Sequence, residues 1–348
     1  MSSAFLNILL VCPDEKDATS FYRGWGPFGE LAQNSNTPIF LHRIPLLNGS
    51  PQIGWSTVAD KQLVFLQRPC QQAHIEVLKI CRQAGATVRS WVDWDDLLWK
   101  IPHGNPAKAF YGNEDEVKAA MLACVQMADI ITVSTEFFRT TFPEELQSKI
   151  QVLRNRLPKR WQCCHAHQKP GERIKIAWRG SRTHDLDWID FLPEVVRLSE
   201  QEPIDWYIIG SAPPHVLEAL SNTTQVFYYP EIPMERYFEW FVKEGPQADI
   251  LFVPLRDHIF NRAKSHIALL EATMAGMLCV GPAWPEWKTP EPQANRLLYH
   301  TPDQIFSCLQ TACEQSRKGA FTLIQQLQAY FLQQYQEEQQ KFQDLVFA

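Results

Sequence analysis

Short apolar runs separated by longer mixed stretches set the rhythm of this chain. Ile8-Leu9-Leu10-Val11-Cys12 is the first such run, and a polar loop follows it. A run of that length without alternation suits a strand covered on both faces, as in a parallel sheet. Ile174-Lys175-Ile176-Ala177-Trp178 opens the second half in the same way and leads into Arg179-Gly180-Ser181. Further strands are predicted at 62–67, 87–92 and 130–134, and then at 206–210, 225–229, 250–254 and 277–281, with helix-like stretches between them. The alternation predicts βαβ units and one parallel sheet in each half.

Segment 151–158 reads as a last strand running into a linker that stays polar as far as Arg173. Near the end, Leu323, Leu327, Tyr330, Phe331 and Tyr335 recur at helical spacing within 322–342, which predicts an amphipathic closing helix. The expected organisation is a first domain at 1–157, a linker at 158–173, a second domain at 174–320 and a closing helix at 321–348. The expected fold class is α/β, with two Rossmann-like doubly wound domains facing each other across a cleft. In open α/β sheets a ligand lies outside the carboxyl ends of the strands, so the cleft is where chemistry belongs.

Composition narrows the class. With 45% hydrophobic and 21% charged residues over 348 positions, the chain is neither disordered nor fibrous. No apolar run approaches the roughly 18 residues of a membrane span, and no cleavable leader is apparent, so a soluble cytoplasmic protein is expected. The net charge of −6 divides unevenly: residues 1–157 carry 15 Lys+Arg against 16 Asp+Glu, and the remainder 18 against 23. Neither half has the positive excess of a bulk nucleic-acid binder. Nine scattered cysteines without a CxxC pair fit a reducing compartment. Cys163-Cys164-His165-Ala166-His167 lacks a second ligand pair at zinc-like spacing, and no metal site is expected there.

Two segments of the second half carry candidate chemistry. Trp178-Arg179-Gly180-Ser181-Arg182-Thr183-His184 is a turn after a strand, with arginines and hydroxyls. Its backbone N–H groups and arginines suit a phosphate, and an ordinary βα turn would look alike. In the second segment, a helix is expected to begin near Lys264, with Asn261, Lys264 and Ser265 at its start. Glu271, seven residues after Lys264, would return to the same face, pairing a lysine for phosphate with a carboxylate for a ribose diol. A solvated helix face is the alternative, weakened because Glu271 sits in an apolar run.

Together these segments resemble the carboxyl-terminal domain of GT-B glycosyltransferases, especially family 4 of the retaining enzymes with its bacterial and phage members. The resemblance rests on 206–211, on 226–233 with Glu235, and on Ala248-Asp249, Pro254 and Glu271-Ala272-Thr273-Met274-Ala275-Gly276, which are similar to an "AD…P…EAxAxG" signature. It implies that Glu271 holds the donor ribose and that Arg179 and Lys264 neutralise the leaving diphosphate. Gly180, Ser181, His184, Gly210, Asn261 and Ser265 would complete the donor site. The donor would be a nucleotide-diphosphate sugar, UDP favoured, with no obligatory cofactor or metal. The usual signature carries a further glutamate eight positions before Glu271, where this chain has Ala263, and Asp257, His258 or Asn261 would have to substitute.

The first half would supply the acceptor wall. The loop 14–25 offers Ser20, Tyr22 and Arg23, and Val92-Asp93-Trp94-Asp95-Asp96 offers two neighbouring carboxylates. Asp95 and Asp96 would hold an acceptor hydroxyl or a cation, or cap a helix. His103 is a loop histidine without an assigned role. The expected activity is a hexosyltransferase-like transfer, with retention, to a glycan or small hydroxyl acceptor. The alternatives are a hydroxymethylated base in DNA, drawing on Arg23, Arg43, Arg68, Lys100 and Lys108, and a catalytically inactive nucleotide- or sugar-binding module.

Overall fold

A computed structural model describes every residue except 1–4, 14–16, 45–52, 163, 169, 244 and 246. The start of the predicted acceptor loop at Asp14 and the Cys163 of the cysteine–histidine cluster lie outside the described residues. Twelve strands are described: β1 (Leu6–Val11), β2 (Ile39–Ile44), β3 (Leu63–Gln67), β4 (Arg89–Trp94), β5 (Ile130–Val133), β6 (Gln151–Val152), β7 (Ile174–Gly180), β8 (Ile204–Gly210), β9 (Gln225–Tyr229), β10 (Ile250–Phe252), β11 (Leu278–Pro282) and β12 (Leu298–Tyr299). They form two six-stranded parallel sheets, ordered β2-β1-β3-β4-β5-β6 and β12-β11-β10-β7-β8-β9. Helices cover both, giving two doubly wound α/β layers. The strand order reverses at β1/β3 and at β7/β10, so the loops after those strands open crevices.

β2 and β12 escape the apolar-run criterion for different reasons. β2 lies at an edge and alternates half-buried with exposed positions, while β12 has only two residues. The central strands carry the cores. Phe28, Phe65, Trp91 and Phe342 cluster under the first sheet with centroid spacings of 5.0 to 5.7 Å. Trp178, Trp188, Trp206 and Phe252 cluster under the second at 5.4 to 6.4 Å.

Helix Phe321–Phe347 fastens the halves together. Its first turns bury Leu323, Ile324, Leu327 and Phe331 in the second core, and its last turns bury Phe342 and Val346 in the first. Burial of Phe342 alone contributes about 2 kcal/mol. Arg89 donates to the carbonyls of Leu345 and Val346, placing a cation at the negative end of that helix. In the opposite direction, Phe260 and Ala263 of the second half pack into the core of the first, and Phe21 and Tyr22 of the first into the core of the second.

Candidate functional site

The two crevices meet in one cleft of about 430 Å³. Its first wall comes from the segment after β1 (Asp17 to Tyr22), from Arg68 after β3, and from Asp95 and Asp96 after β4. Its second wall comes from Arg179 to His184 after β7, from Gly210 at the end of β8, and from the loop after β10 that carries Lys264 and Ser265.

Glycines let the second wall form. Gly180 and Gly210 are register partners at the ends of β7 and β8. Gly210 has φ +99°, and a Cβ there would lie 2.1 Å from the Gly180 carbonyl oxygen, so no other residue fits. Past Gly180 the chain turns at Ser181, whose hydroxyl caps the N–H of Thr183 and starts the helical turn Arg182–Trp188. His184, on that turn, bonds through Nδ1 to Asp187 at 2.9 Å. A carboxylate only accepts, so Nδ1 carries the hydrogen. Burial, then the charge of Lys264, lowers the His184 pKa from its ordinary 6.5, leaving Nε2 as an acceptor in the neutral ring.

Arg179 leaves the end of β7 and donates through Nε to Glu271 at 2.7 Å, with Nη2 at 2.5 Å. The other oxygen of Glu271 takes the hydroxyl of Tyr22, from the first half. Glu271 is fully buried and does not itself line the cleft, whereas a quarter of the Arg179 side chain is exposed there. Burial works against the Arg179 charge, but Glu271 outweighs it and raises the pKa. The second wall therefore shows the cation and hides the anion.

The helix expected to begin near Lys264 is broken instead. One short turn spans Ile259–Arg262, and the helix carrying Glu271 spans Ile267–Met274. The break follows from docking: Ala263 is fully buried against the first half, and its carbonyl accepts from Thr135 Oγ1 at 3.0 Å. Lys264 and Glu271 consequently do not share a face. Lys264 reaches into the cleft, 3.6 Å from Asp96 and 4.7 Å over the Phe260 ring, and Ser265 accepts from Asn155 at 2.7 Å. Asn261 turns away, donating to Asp187 at 2.7 Å and to the Arg256 carbonyl. It lines a separate depression with Asp257 and His258, so none of the three residues considered for the missing glutamate lines the cleft.

On the first wall, Asp95 and Asp96 cap no helix. The turn Leu98–Lys100 has no side-chain cap, and both carboxylates are clamped by Arg68. Arg68 binds Asp95 through Nε at 2.6 Å and Nη2 at 2.8 Å, and Asp96 through Nη2 at 2.6 Å. Burial raises the Asp95 pKa, with Asp96 adding to the effect. Asp96 is held lower despite its burial, because Lys264 and Arg68 both face it. Arg68 holds φ +52°, strained for a residue other than glycine, which fixes its direction at the strand end. Sequence reading had given Arg68 only a DNA-contact role. Its place just after a strand at the switch point was the signal for more.

Arg23 is corrected outright. It is buried, its guanidinium held by Asp93, Asn155 and the Leu153 carbonyl, and it does not line the cleft. Ser20 is buried as well, and His103 is exposed away from the cleft. Three other cations considered for a DNA acceptor are engaged elsewhere. Arg43 lies over Trp25, Lys100 pairs with Glu114, and Lys108 donates to the Ile101 carbonyl. Among the described residues no group of three His, Cys, Asp or Glu is arranged to hold a metal, and no helix is long and apolar enough to cross a membrane.

Solved structures match almost the whole chain, three of them as follows. The Anabaena Alr3699/HepE structure in complex with UDP matches at 10% identity, with 98% of this chain and 99% of that one covered and a TM-score of 0.66. A trehalose-6-phosphate synthase, OtsA, matches at 11% identity, 98% of each chain and 0.62. An α-glucosyltransferase in complex with UDP and DNA containing an HMU base matches at 10% identity, 99% and 100% coverage and 0.61. No family model and no curated protein matches the sequence. The chain has the two-domain GT-B glycosyltransferase fold.

Proposed function

We propose that the protein transfers a sugar, with retention, from a UDP-linked donor to an acceptor hydroxyl. In this reading residues 174–320 serve the donor and residues 1–157 the acceptor. The observation that carries it is the placement of Arg179 and Lys264, with the glycine-lined turn at 180–184, on one wall of the interdomain cleft. The structural neighbours that hold UDP support the choice of donor. The diphosphate lies along Arg179, Lys264, Ser181 and His184, with Gly180, Gly210 and Ser265 shaping the floor. Lysine and arginine there stabilise the charge that grows on the leaving group, and no metal is an obligatory part of the scheme. As the bond from the anomeric carbon to the diphosphate breaks, the acceptor oxygen forms the new bond and its proton passes to the departing phosphate oxygen. Lys264 stands 3.6 Å from Asp96, so hydroxyl and leaving group share one side of the sugar, which favours retention. Glu271 takes the ribose hydroxyls once Tyr22 gives way.

The test is calorimetry and thermal shift with UDP, GDP, ADP and their sugars. UDP should stabilise the protein by about 2.7 kcal/mol at one hundred times its Kd. Lys264→Ala should weaken UDP binding at least tenfold. No stabilisation by any nucleotide overturns the donor site, and an unchanged affinity in Lys264→Ala overturns the role of that lysine.

A further inference from the structure

The acceptor wall carries a chemical preference of its own. Its charged groups facing the cleft are Asp17, Asp95, Asp96 and Arg68, three carboxylates against one cation. The opposing cations, Arg179 and Lys264, belong to the donor diphosphate in the loaded enzyme. An acceptor entering after the donor therefore meets a wall with a net negative charge and a diphosphate beside it.

The same wall is built for hydroxyl groups. Arg68 fixes both carboxylates with short bonds and leaves each oxygen with capacity for one more donor, since a carboxylate accepts about four hydrogen bonds. Tyr111 accepts from Arg68 Nη1 at 3.2 Å, so its own hydrogen can point to an acceptor oxygen. Leu98 and Ile101 line the cleft beside them and suit the carbon face of a sugar ring. Asp96, opposite Lys264, holds the hydroxyl that reacts.

From this geometry we infer that the acceptor is an uncharged saccharide or polyol, and that acceptors bearing a phosphate next to the reacting hydroxyl, a phosphosugar or DNA, are rejected. The inference deepens the glycosyltransferase reading and rests on it. It departs from two of the structural neighbours, a trehalose-6-phosphate synthase and an α-glucosyltransferase in complex with DNA.

The experiment separates the two layers. UDP binding is measured first, by calorimetry on the full chain. Saturation-transfer NMR on the UDP-loaded protein then compares glucose, glucose 6-phosphate and a duplex containing hydroxymethyluracil, and the same three are offered with UDP-glucose while product is followed by mass spectrometry. The expected result is saturation transfer to glucose with at least a tenfold preference over its 6-phosphate, and no binding of the duplex above that of an unmodified duplex. Asp96→Asn should shrink the ratio of the two sugars' apparent KM values at least threefold, a change in selectivity that a purely structural role would not produce. UDP binding together with equal or better use of the phosphorylated sugar or the DNA overturns the acceptor class alone. UDP binding without binding of glucose overturns it too. Absence of UDP binding overturns the donor reading and this inference with it.

Discussion

The two walls of the cleft use the same kinds of side chain in opposite arrangement. On the second wall Arg179 meets Glu271 and Tyr22; on the first wall Arg68 meets Asp95, Asp96 and Tyr111. Glu271 is fully buried while 26% of the Arg179 side chain stays exposed, so the second wall shows a cation. Asp95 and Asp96 remain 14% and 18% exposed and outnumber their arginine, so the first wall shows anions. An ion pair is not neutral toward a ligand. Its sign depends on which partner the fold turns inward and on how many partners share one charge.

The strongest way to break this comparison is to remove the cation of the second wall. Arg179→Met leaves the Glu271 carboxylate buried without its counter-charge, which should lower stability by about 3–5 kcal/mol in denaturant titration. In the folded fraction it should also lower kcat/KM about 10²–10³-fold. A stable, active Arg179→Met protein would mean that Glu271 does not set the sign of that wall.

A smaller effect tests the frames behind the walls. His74, in the first half, and His266, just before the helix of Glu271, are both buried, and burial lowers their pKa from 6.5 to about 4 and about 3. Both stay neutral in the fold and protonate only in the unfolded chain between those values and 6.5. Stability is therefore full above pH 6.5 and is lost as pH falls. By pH 5.5 the pair should cost about 3 kcal/mol, at about 1.4 kcal/mol per unit each. His266→Phe should halve that slope in urea titrations at pH 7.5 and 5.5.

The smallest effect concerns the bond that ties the walls together. Tyr22→Phe removes the hydroxyl that donates to Glu271 and that, in the proposed function, must give way to the ribose. UDP affinity should rise about fivefold, equivalent to about 1 kcal/mol. Calorimetry that finds weaker binding would show Tyr22 to be a ligand contact instead.

Much of this arrangement was legible along the chain, and the failures are instructive. The strands β1, β3, β5, β7, β8, β10 and β11 declare themselves because a doubly covered strand must be apolar throughout. The turn at 178–184 and the residues Arg179, Lys264, Asp95 and Asp96 were found because they follow such strands. Arg23 and Asn261 were misplaced because polarity marks a side chain as needing partners without saying whether those are ligand or protein. Asp93 and Asp187 supplied them internally. The helix start was misplaced by the docking of Ala263 against Thr135, a contact between residues 128 positions apart.

The amino-acid order by itself determined two parallel sheets, the loops that face the cleft and the residue types available there, because local periodicity and strand-end position are one-dimensional properties. The tertiary structure alone decided which member of each ion pair faces the ligand, that Tyr22 closes over Glu271, and that Arg68 holds both aspartates. Those outcomes depend on burial and on partners distant in sequence, and neither is written in the neighbourhood of any single residue.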